Sequence, residues 1–526
     1  MNETNAAWLL RCAEFLTARR LDPRWLAPLA AFETEGPDRP AAGFTALERE
    51  VMENTTALSL RIAAALTDEV DAAQAGMFAR RYLAVAERLR DLSQTADEAR
   101  VLAVGLHQRT CEALDGPPPR ALRVRAIADF YYSRAGVLYH ALRRTEAGEP
   151  PLTLPALISG ARWSPVAPGI RHATLEGQLD EGPAYINVLR VEAGAGRLRC
   201  VDCRGAPDFP AFVAERGAVA GVSGGFFLYS EPDIAPPSAR MDPVGLLVSR
   251  GAVRSPPVLR RAALLGPDPA IAVVGPTSLR LGDRPVRIAA VNAPGASGVI
   301  AFNRAYGETS PATGGPAAAI VGDRVVASGR APLPVPLAGV VLHLSGEAPP
   351  VGTPVTWDAA ADDMPIEEGM AGGPVLVRGG APAFTSLRAA LLREDFQGTA
   401  PPRTFSGDET GDQNLLPRMA AGLTSDGALI FAAVDGRNFH RALGLTLGGL
   451  ARLMIALGCE RAMNLDGGSS KRMVIGDRTV DLASTEVVAD GAGSGRVRPV
   501  HTAVLVHARA PGGSEDPPGA QSMPKR

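Results

Sequence analysis

Two aspartates each close a hydrophobic segment and are followed at once by glycine. Residues 428–434 are apolar throughout and end in Asp435-Gly436, while residues 462–465 lead into Asp466-Gly467-Gly468-Ser469-Ser470. Between them Leu447, Leu450, Met454 and Leu457 mark one face of a helix that Gly458 stops. Strand, helix and strand in this order normally make a right-handed crossover between parallel strands. Both carboxylates would then stand on one rim of a sheet, about 4.8 Å apart if the strands are immediate neighbours. Paired carboxylates on a rim suit general acid and base catalysis. Asp-Gly is equally ordinary turn chemistry, and the chain carries its own control. Asp426-Gly427 lies between the apolar runs 419–423 and 428–434 at hairpin spacing, so that pair reads as structure. For Asp466, with an added glycine and two hydroxyls, spacing leaves both readings open.

Two more glycine clusters stand apart from these turns: Gly221-Val222-Ser223-Gly224-Gly225-Phe226-Phe227 and Gly372-Gly373-Pro374. Adjacent glycines let backbone amides approach a ligand and shape an anion-binding concavity, which the paired phenylalanines would anchor in the core. Neither cluster has the spacing of a Walker loop or a dinucleotide fingerprint, so nucleotide binding is not indicated. Cys200 and Cys203 form a lone C-x2-C with no second pair and no histidine at metal spacing; they read as two ordinary thiols, and no metal site is expected. His440 and His501 are each open to a rim acid–base role or to a solvated or structural one.

Taken in order, the motifs are Gly224-Gly225-Phe226-Phe227, Pro243-Val244-Gly245, Asn303-Arg304-Ala305-Tyr306-Gly307, Gly372-Gly373-Pro374 and Pro417-Arg418. Val434-Asp435-Gly436-Arg437, Gly444-Leu445-Thr446, Asn464-Leu465-Asp466-Gly467-Gly468-Ser469-Ser470 and Arg498-Pro499-Val500 complete the series. Over about residues 180–508 this series resembles the phosphodiester glycosidase family, the Asn464 block being the most specific part. The resemblance implies a hydrolase that cleaves the bond between a sugar's anomeric carbon and phosphate, on an N-acetylhexosamine 1-phosphodiester or similar phosphorylated saccharide, without a cofactor. The departing phosphomonoester needs little proton donation, so the demands are phosphate binding and stabilisation of an oxocarbenium-like centre. The same resemblance implies Asp466 as the catalytic carboxylate with Asp435 as its partner for acid, base or water positioning. It places Ser223, Gly224, Gly225, Gly373, Arg418, Arg437, Gly467, Gly468, Ser469, Ser470 and Arg498 around sugar and phosphate. Arg418 and Arg498 would grip phosphate oxygens in a bidentate fork, with Lys471 assisting. Bacterial relatives are associated with exopolysaccharide metabolism, which extends the expectation to a bacterial carbohydrate setting.

This chain departs from the family pattern twice. Ser223 stands where the family carries asparagine, and its hydroxyl lacks the amide's paired donor and acceptor. Lys471-Arg472 follows the glycine block where small or hydroxyl residues are common. The departures keep a rival reading open, a non-catalytic carbohydrate- or phosphate-binding module joined to a helical oligomerisation domain.

The elements that must position these residues follow from periodicity. Leu47, Val51, Thr55, Leu58, Ile62 and Leu66 recur at helical spacing, as do Phe78, Tyr82, Val85, Leu89 and Leu92; Thr95 and Glu98 form a capping box, and a further helix is predicted over 120–144. Residues 1–147 therefore read as an all-α bundle, with a surplus stripe available to dock a second copy of the chain. Residues 148–179 read as linker and lead-in, 180–509 as the glycosidase-like domain, and 510–526 as a polar tail expected to be disordered. Within 180–509, short apolar runs at 185–191, 219–222, 244–248, 340–344 and 374–377 predict strands, and 208–215 and 446–457 predict helices. The fold class expected is α+β, a mixed sheet behind a helical module.

Composition narrows the partners. Basic and acidic residues nearly cancel, 54 against 56 in 526 residues, which gives no general attraction to nucleic acid or an anionic membrane. Only Lys471 and Lys525 among the basic residues are lysines, a bias that reads as GC-rich coding. Five cysteines make no disulfide framework, the first residues lack the pattern of a signal peptide, and no stretch approaches the roughly 20 apolar residues of a membrane span. A cytoplasmic address is the expectation.

Overall fold

The computed structural model describes residues 147–228, 242–362, 364–396, 399–401, 415–438, 441–482 and 499–509, with His140 and Arg144. Nearly all of the expected helical module, the 510–526 tail, His440 and Arg498 lie outside the described residues. The described part is mostly β-sheet with few helices. In chain order the strands that frame the site are β1 (Arg162–Ala167), β2 (Ile170–Gln178), β3 (Pro183–Val191), β4 (Gly196–Ala206), β5 (Ala220–Ser223), β6 (Arg261–Gly266), β7 (Glu368–Ala371) and β8 (Val375–Arg378). They continue with β9 (Ala381–Pro382), β10 (Arg418–Thr424), β11 (Leu429–Val434), β12 (Cys459–Leu465), β13 (Met473–Ile475), β14 (Arg478–Thr479) and β15 (Val500–Ala508). The helices are α1 (Leu154–Ser159), α2 (Phe209–Glu215), α3 (Leu387–Arg393) and α4 (Leu447–Ala456).

An eight-stranded sheet in the order β1-β2-β3-β11-β10-β12-β8-β9 carries Asp435-Gly436 and Asp466-Gly467 at its strand ends. All of its pairings are antiparallel. A five-stranded sheet runs β14-β13-β5-β15-β4, a second one has β7 and β6 side by side, and a seven-stranded sheet is drawn from residues 278–357. The mixed character expected of the fold is confined to that last sheet, where residues 284–291 and 299–302 pair in parallel.

The site strands correct one expectation. β11 and β12 do run parallel to each other, since β10 is antiparallel to both, but β10 lies between them. Their axes are therefore two strand spacings apart, roughly 9.6 Å, rather than one. The apolar run of β11 is continuous because the sheet is covered on both faces, and parallel adjacency is not needed to explain it. Ile430, Ala432 and Val434 enter one core together with Leu447, Leu450 and Met454 of α4, while Leu429, Phe431 and Ala433 enter another with Leu465 and Met473. Strand alternation sends neighbours to opposite faces, and here both faces are apolar.

α2 and α4 form where the sequence placed them. Asp208 caps α2 by accepting from Ala211 N at 3.0 Å, and Thr446 caps α4 by accepting from Gly449 N at 2.9 Å. α1 and α3, six and seven residues long, stand where no helix is expected. β-structure begins at Arg162, ahead of residue 185, because β2 alternates buried and half-exposed polar positions and so carries no apolar run. The Asp426 hairpin joins β10 to β11 as expected: Thr424 N donates to Ala428 O at 3.0 Å and Gly427 takes a φ of +78°. The Asp426 carboxylate pairs with Arg190 at 2.7 Å.

Candidate functional site

Residues 416–418 enter β10 through a gap that only glycine leaves open. A Cβ on Gly436 would stand 2.6 Å from Pro417 N, and one on Gly467 would stand 2.6 Å from Pro417 O. Gly468 N donates to that same Pro417 oxygen at 2.8 Å. The glycines after Asp435 and Asp466 are thus fixed by backbone meeting backbone, and Pro417 binds the two turns into one junction. Arg418, paired across the sheet with Val434, is the next residue.

Asp466 ends β12 at this junction, and the other glycine motifs converge on it. Its amide donates to Gly224 O at 3.0 Å, and Gly224 N donates to Thr502 O at 2.8 Å. Asn464 brackets the third cluster: Gly373 N donates to Asn464 O at 2.7 Å, and the Asn464 side-chain amide donates to Gly373 O at 2.9 Å. A Cβ on Gly225 would lie 2.2 Å from Ala371 O. The amide cradle expected of these clusters therefore does not draw on the amides of Gly224, Gly373 or Gly468. The amides of Gly224, Gly373 and Gly468 donate within the protein, and the glycines serve close packing. Asp466, Gly467 and Gly468 are partly exposed, whereas Ser469 and Ser470 are buried in a 3-10 turn.

Asp435 takes the opposite position. It is 1% exposed, and its Oδ1 accepts from Lys471 Nζ at 2.7 Å. Lys471 is itself fully buried and donates equally closely, at 2.6 Å, to Asp481 Oδ2. Asp481 also accepts from Arg472 Nη1 at 3.1 Å and from Met473 N at 2.6 Å. Burial pushes the Asp435 carboxyl up to about 7; Lys471 pulls it down and Asp481 raises it again. Asp435 consequently does not reach the rim, and Lys471 cannot assist a ligand from where it stands. The two-carboxylate rim reduces to Asp466.

The expected anion ligands divide in the same way. Arg418 and Arg437 are both buried beside the Asp466 turn: a Cβ on Gly467 would be 3.3 Å from Arg418 Cα, and one on Gly468 would be 3.5 Å from Arg437 Nη1. Arg418 Nε donates to Leu445 O at 3.0 Å. Arg437 holds a φ of +56°, strained for a non-glycine residue. Ser223 is buried and turned away, its hydroxyl accepting from Arg472 N at 3.0 Å. The Asn303 motif is structural: the Asn303 amide donates to Val258 O at 2.9 Å and to Asp395 Oδ2 at 3.0 Å. His501 packs its ring 4.2 Å from that of Phe227. Cys200 and Cys203 lie within β4, both free thiols, and burial raises Cys200 well above its ordinary value and Cys203 to about 12. Among the described residues no three metal-ligating side chains gather.

Sequence reasoning missed two features. Asp481 belongs to no motif; its signal is a lone carboxylate between Val480 and Leu482, ten residues from one of the chain's two lysines. The support under Gly373 was also hidden. Glu394 accepts from Ala262 N and Val375 N at 3.0 and 2.7 Å, and Arg261 lies with its guanidinium carbon 3.2 Å from the Phe396 ring centroid.

Residues 296–507 match the phosphodiester glycosidase family. Over this span the chain is similar to that family. The matched span includes Asp435-Gly436, Asp466-Gly467 and the Gly372-Gly373 cluster, and starts after the Gly224-Gly225 motif. The SPbeta prophage-derived uncharacterized protein YomE of Bacillus subtilis (strain 168) is 36% identical over 84 residues, 16% of this chain and 13% of YomE. A hypothetical protein from Synechocystis has a solved structure that is 19% identical, covering 66% of this chain and 64% of that one, with a TM-score of 0.43. The catalytic domain of zebrafish N-acetylglucosamine-1-phosphodiester alpha-N-acetylglucosaminidase, auto-inhibited by its pro-peptide, is 13% identical over 66% of this chain and 88% of that one, at a TM-score of 0.34. The chain thus spans less than two thirds of the Synechocystis protein and a small part of YomE.

Proposed function

We propose that this protein hydrolyses a glycosyl phosphodiester at the bond between the sugar's anomeric carbon and the phosphate oxygen, an N-acetylhexosamine 1-phosphodiester being the substrate class. The observation that carries this reading is that one partly exposed carboxylate, Asp466, shares a glycine turn with the guanidinium of Arg437 and the backbone of Arg418. Guanidinium charge suits the phosphate, and a carboxylate suits the positive charge that develops on the sugar as the C1–O bond breaks. Water supplies the hydroxyl that ends on C1, its proton passes to solvent, and the phosphomonoester leaves with the bonding electrons. Asp466 stabilises the oxocarbenium-like centre or orients that water. Asp435, below the rim, does not touch substrate. The expected phosphate ligand Arg498 completes the proposal from sequence.

The test is incubation with a synthetic N-acetylhexosamine 1-phosphodiester and identification of both products. Free sugar and phosphomonoester are expected from the wild type, and their release should fall sharply in Asp466→Asn. Binding of the diester with no product at all would reject the hydrolase and favour the non-catalytic binding module.

A further inference from the structure

Lys471 leaves the Gly468–Ser470 turn and folds back to Asp435, which ends a strand 36 residues earlier in the chain. Arg437, two residues beyond Asp435, returns to the first residue of that turn, where its Nη1 would lie 3.5 Å from a Cβ on Gly468. Two short segments are thus joined at both ends, once by an ion pair and once by a packed guanidinium. Asp481 fixes the far side: one of its oxygens receives Lys471 and Arg472, and the other receives the backbone of Met473. β5 adds a further hold, since Ser223 N donates to Arg472 O at 2.9 Å while the Ser223 hydroxyl accepts from Arg472 N.

We propose that Lys471 is a positioning residue: through Asp435 and Asp481 it holds the Gly468–Ser470 turn against the end of β11, and so sets where Asp466 stands. What separates this from phosphate binding is that the ammonium is already engaged: it is fully buried and donates to Asp435 at 2.7 Å and to Asp481 at 2.6 Å. The choice of lysine fits the geometry. One compact ammonium nitrogen reaches two carboxylates at 2.7 and 2.6 Å, where a planar guanidinium would need more room and a different approach. The departure from the family pattern at Lys471-Arg472 is then accounted for by Asp481, which supplies the counter-charge.

The turnover arm of the test rests on the hydrolase reading; the exchange arm does not. In the full chain, Lys471→Met should raise backbone hydrogen exchange at residues 467–471 on the order of tenfold or more, with the centres of β10, β11 and β12 unchanged. It should lower kcat on a glycosyl phosphodiester roughly ten- to a hundredfold, the scale of an ångström's misplacement, and leave inhibition by inorganic phosphate unaltered. Weakened phosphate inhibition in step with turnover would make Lys471 a phosphate ligand and overturn the proposal, as would unchanged exchange. If Lys471→Met fails to fold, Lys471→Met/Asp435→Asn carries the same readouts, because it leaves Asp481 and Arg472 balanced. That double variant should recover melting temperature and not kcat. Recovery of both would reduce Lys471 to charge balance, and failure of the double variant to fold would make the cluster a support of the whole fold; either result overturns the proposal. A wild type inert on every diester, with exchange raised as stated in Lys471→Met, rejects the hydrolase and leaves the tether standing.

Discussion

Asp466→Asn keeps the shape of the side chain and removes its charge. At a partly exposed strand end this should leave the melting temperature nearly unchanged and lower turnover of the diester about a hundredfold or more, the loss expected for a positioned acid, base or charge stabiliser. Asp426→Asn is the matched control, since Asp426 serves the hairpin and its Arg190 pair; product release should stay within about twofold. Asp435 makes a different prediction. Its folded-state carboxyl is raised, by burial first, to about 7, above the roughly 3.9 of an unfolded chain. The folded protein therefore binds this proton more tightly, and the stability so gained is fully present below about pH 4 and lost as pH rises toward 7. The melting temperature of the wild type relative to Asp435→Asn should fall between pH 4.5 and 7.5; a difference independent of pH would reject it. The partly exposed place of Asp466 just past β12 was legible in the sequence, because a strand run into Asp-Gly-Gly signals a turn there. The burial of Asp435 was not, because an apolar strand ending in Asp-Gly looks the same whether its last residue meets solvent or a lysine from another segment.

Gly436 and Gly467 show how an element boundary can depend on absent atoms. An alanine at either would place its Cβ 2.6 Å from the backbone of Pro417, which has no rotamer by which to move aside. Either substitution should lower stability by about 1–3 kcal/mol or more, measured by denaturant titration, with turnover reduced in the fraction that folds. Gly448, inside α4, meets nothing nearer than 3.8 Å, and Gly448→Ala should raise stability by about 0.5–1 kcal/mol. The caps Asp208 and Thr446 and the Asp426 hairpin could be read locally, because each depends on residues two to four apart. The place of β10 between β11 and β12 could not. It enters from the preceding segment, and only its pairing with both neighbours reveals it.

At the scale of the whole chain, the sheets share two large cores, one beneath α4 and one between the eight-stranded sheet and the five-stranded sheets. The helical module expected over 1–147 is tested separately: that fragment should give helical circular dichroism and a cooperative melt, and a fragment with neither would remove the expectation. The chain's use of lysine has a practical consequence. Lys471 is buried, and Lys525 is the only other lysine in 526 residues. Labelling with nitrogen-15 lysine would therefore add just two side-chain ammonium groups to the spectrum of a 54.7 kDa protein. The one slow to exchange with water would be the one wedged between Asp435 and Asp481. A single resonance would then follow the heart of the molecule through titration, ligand addition and heating, without any engineered probe.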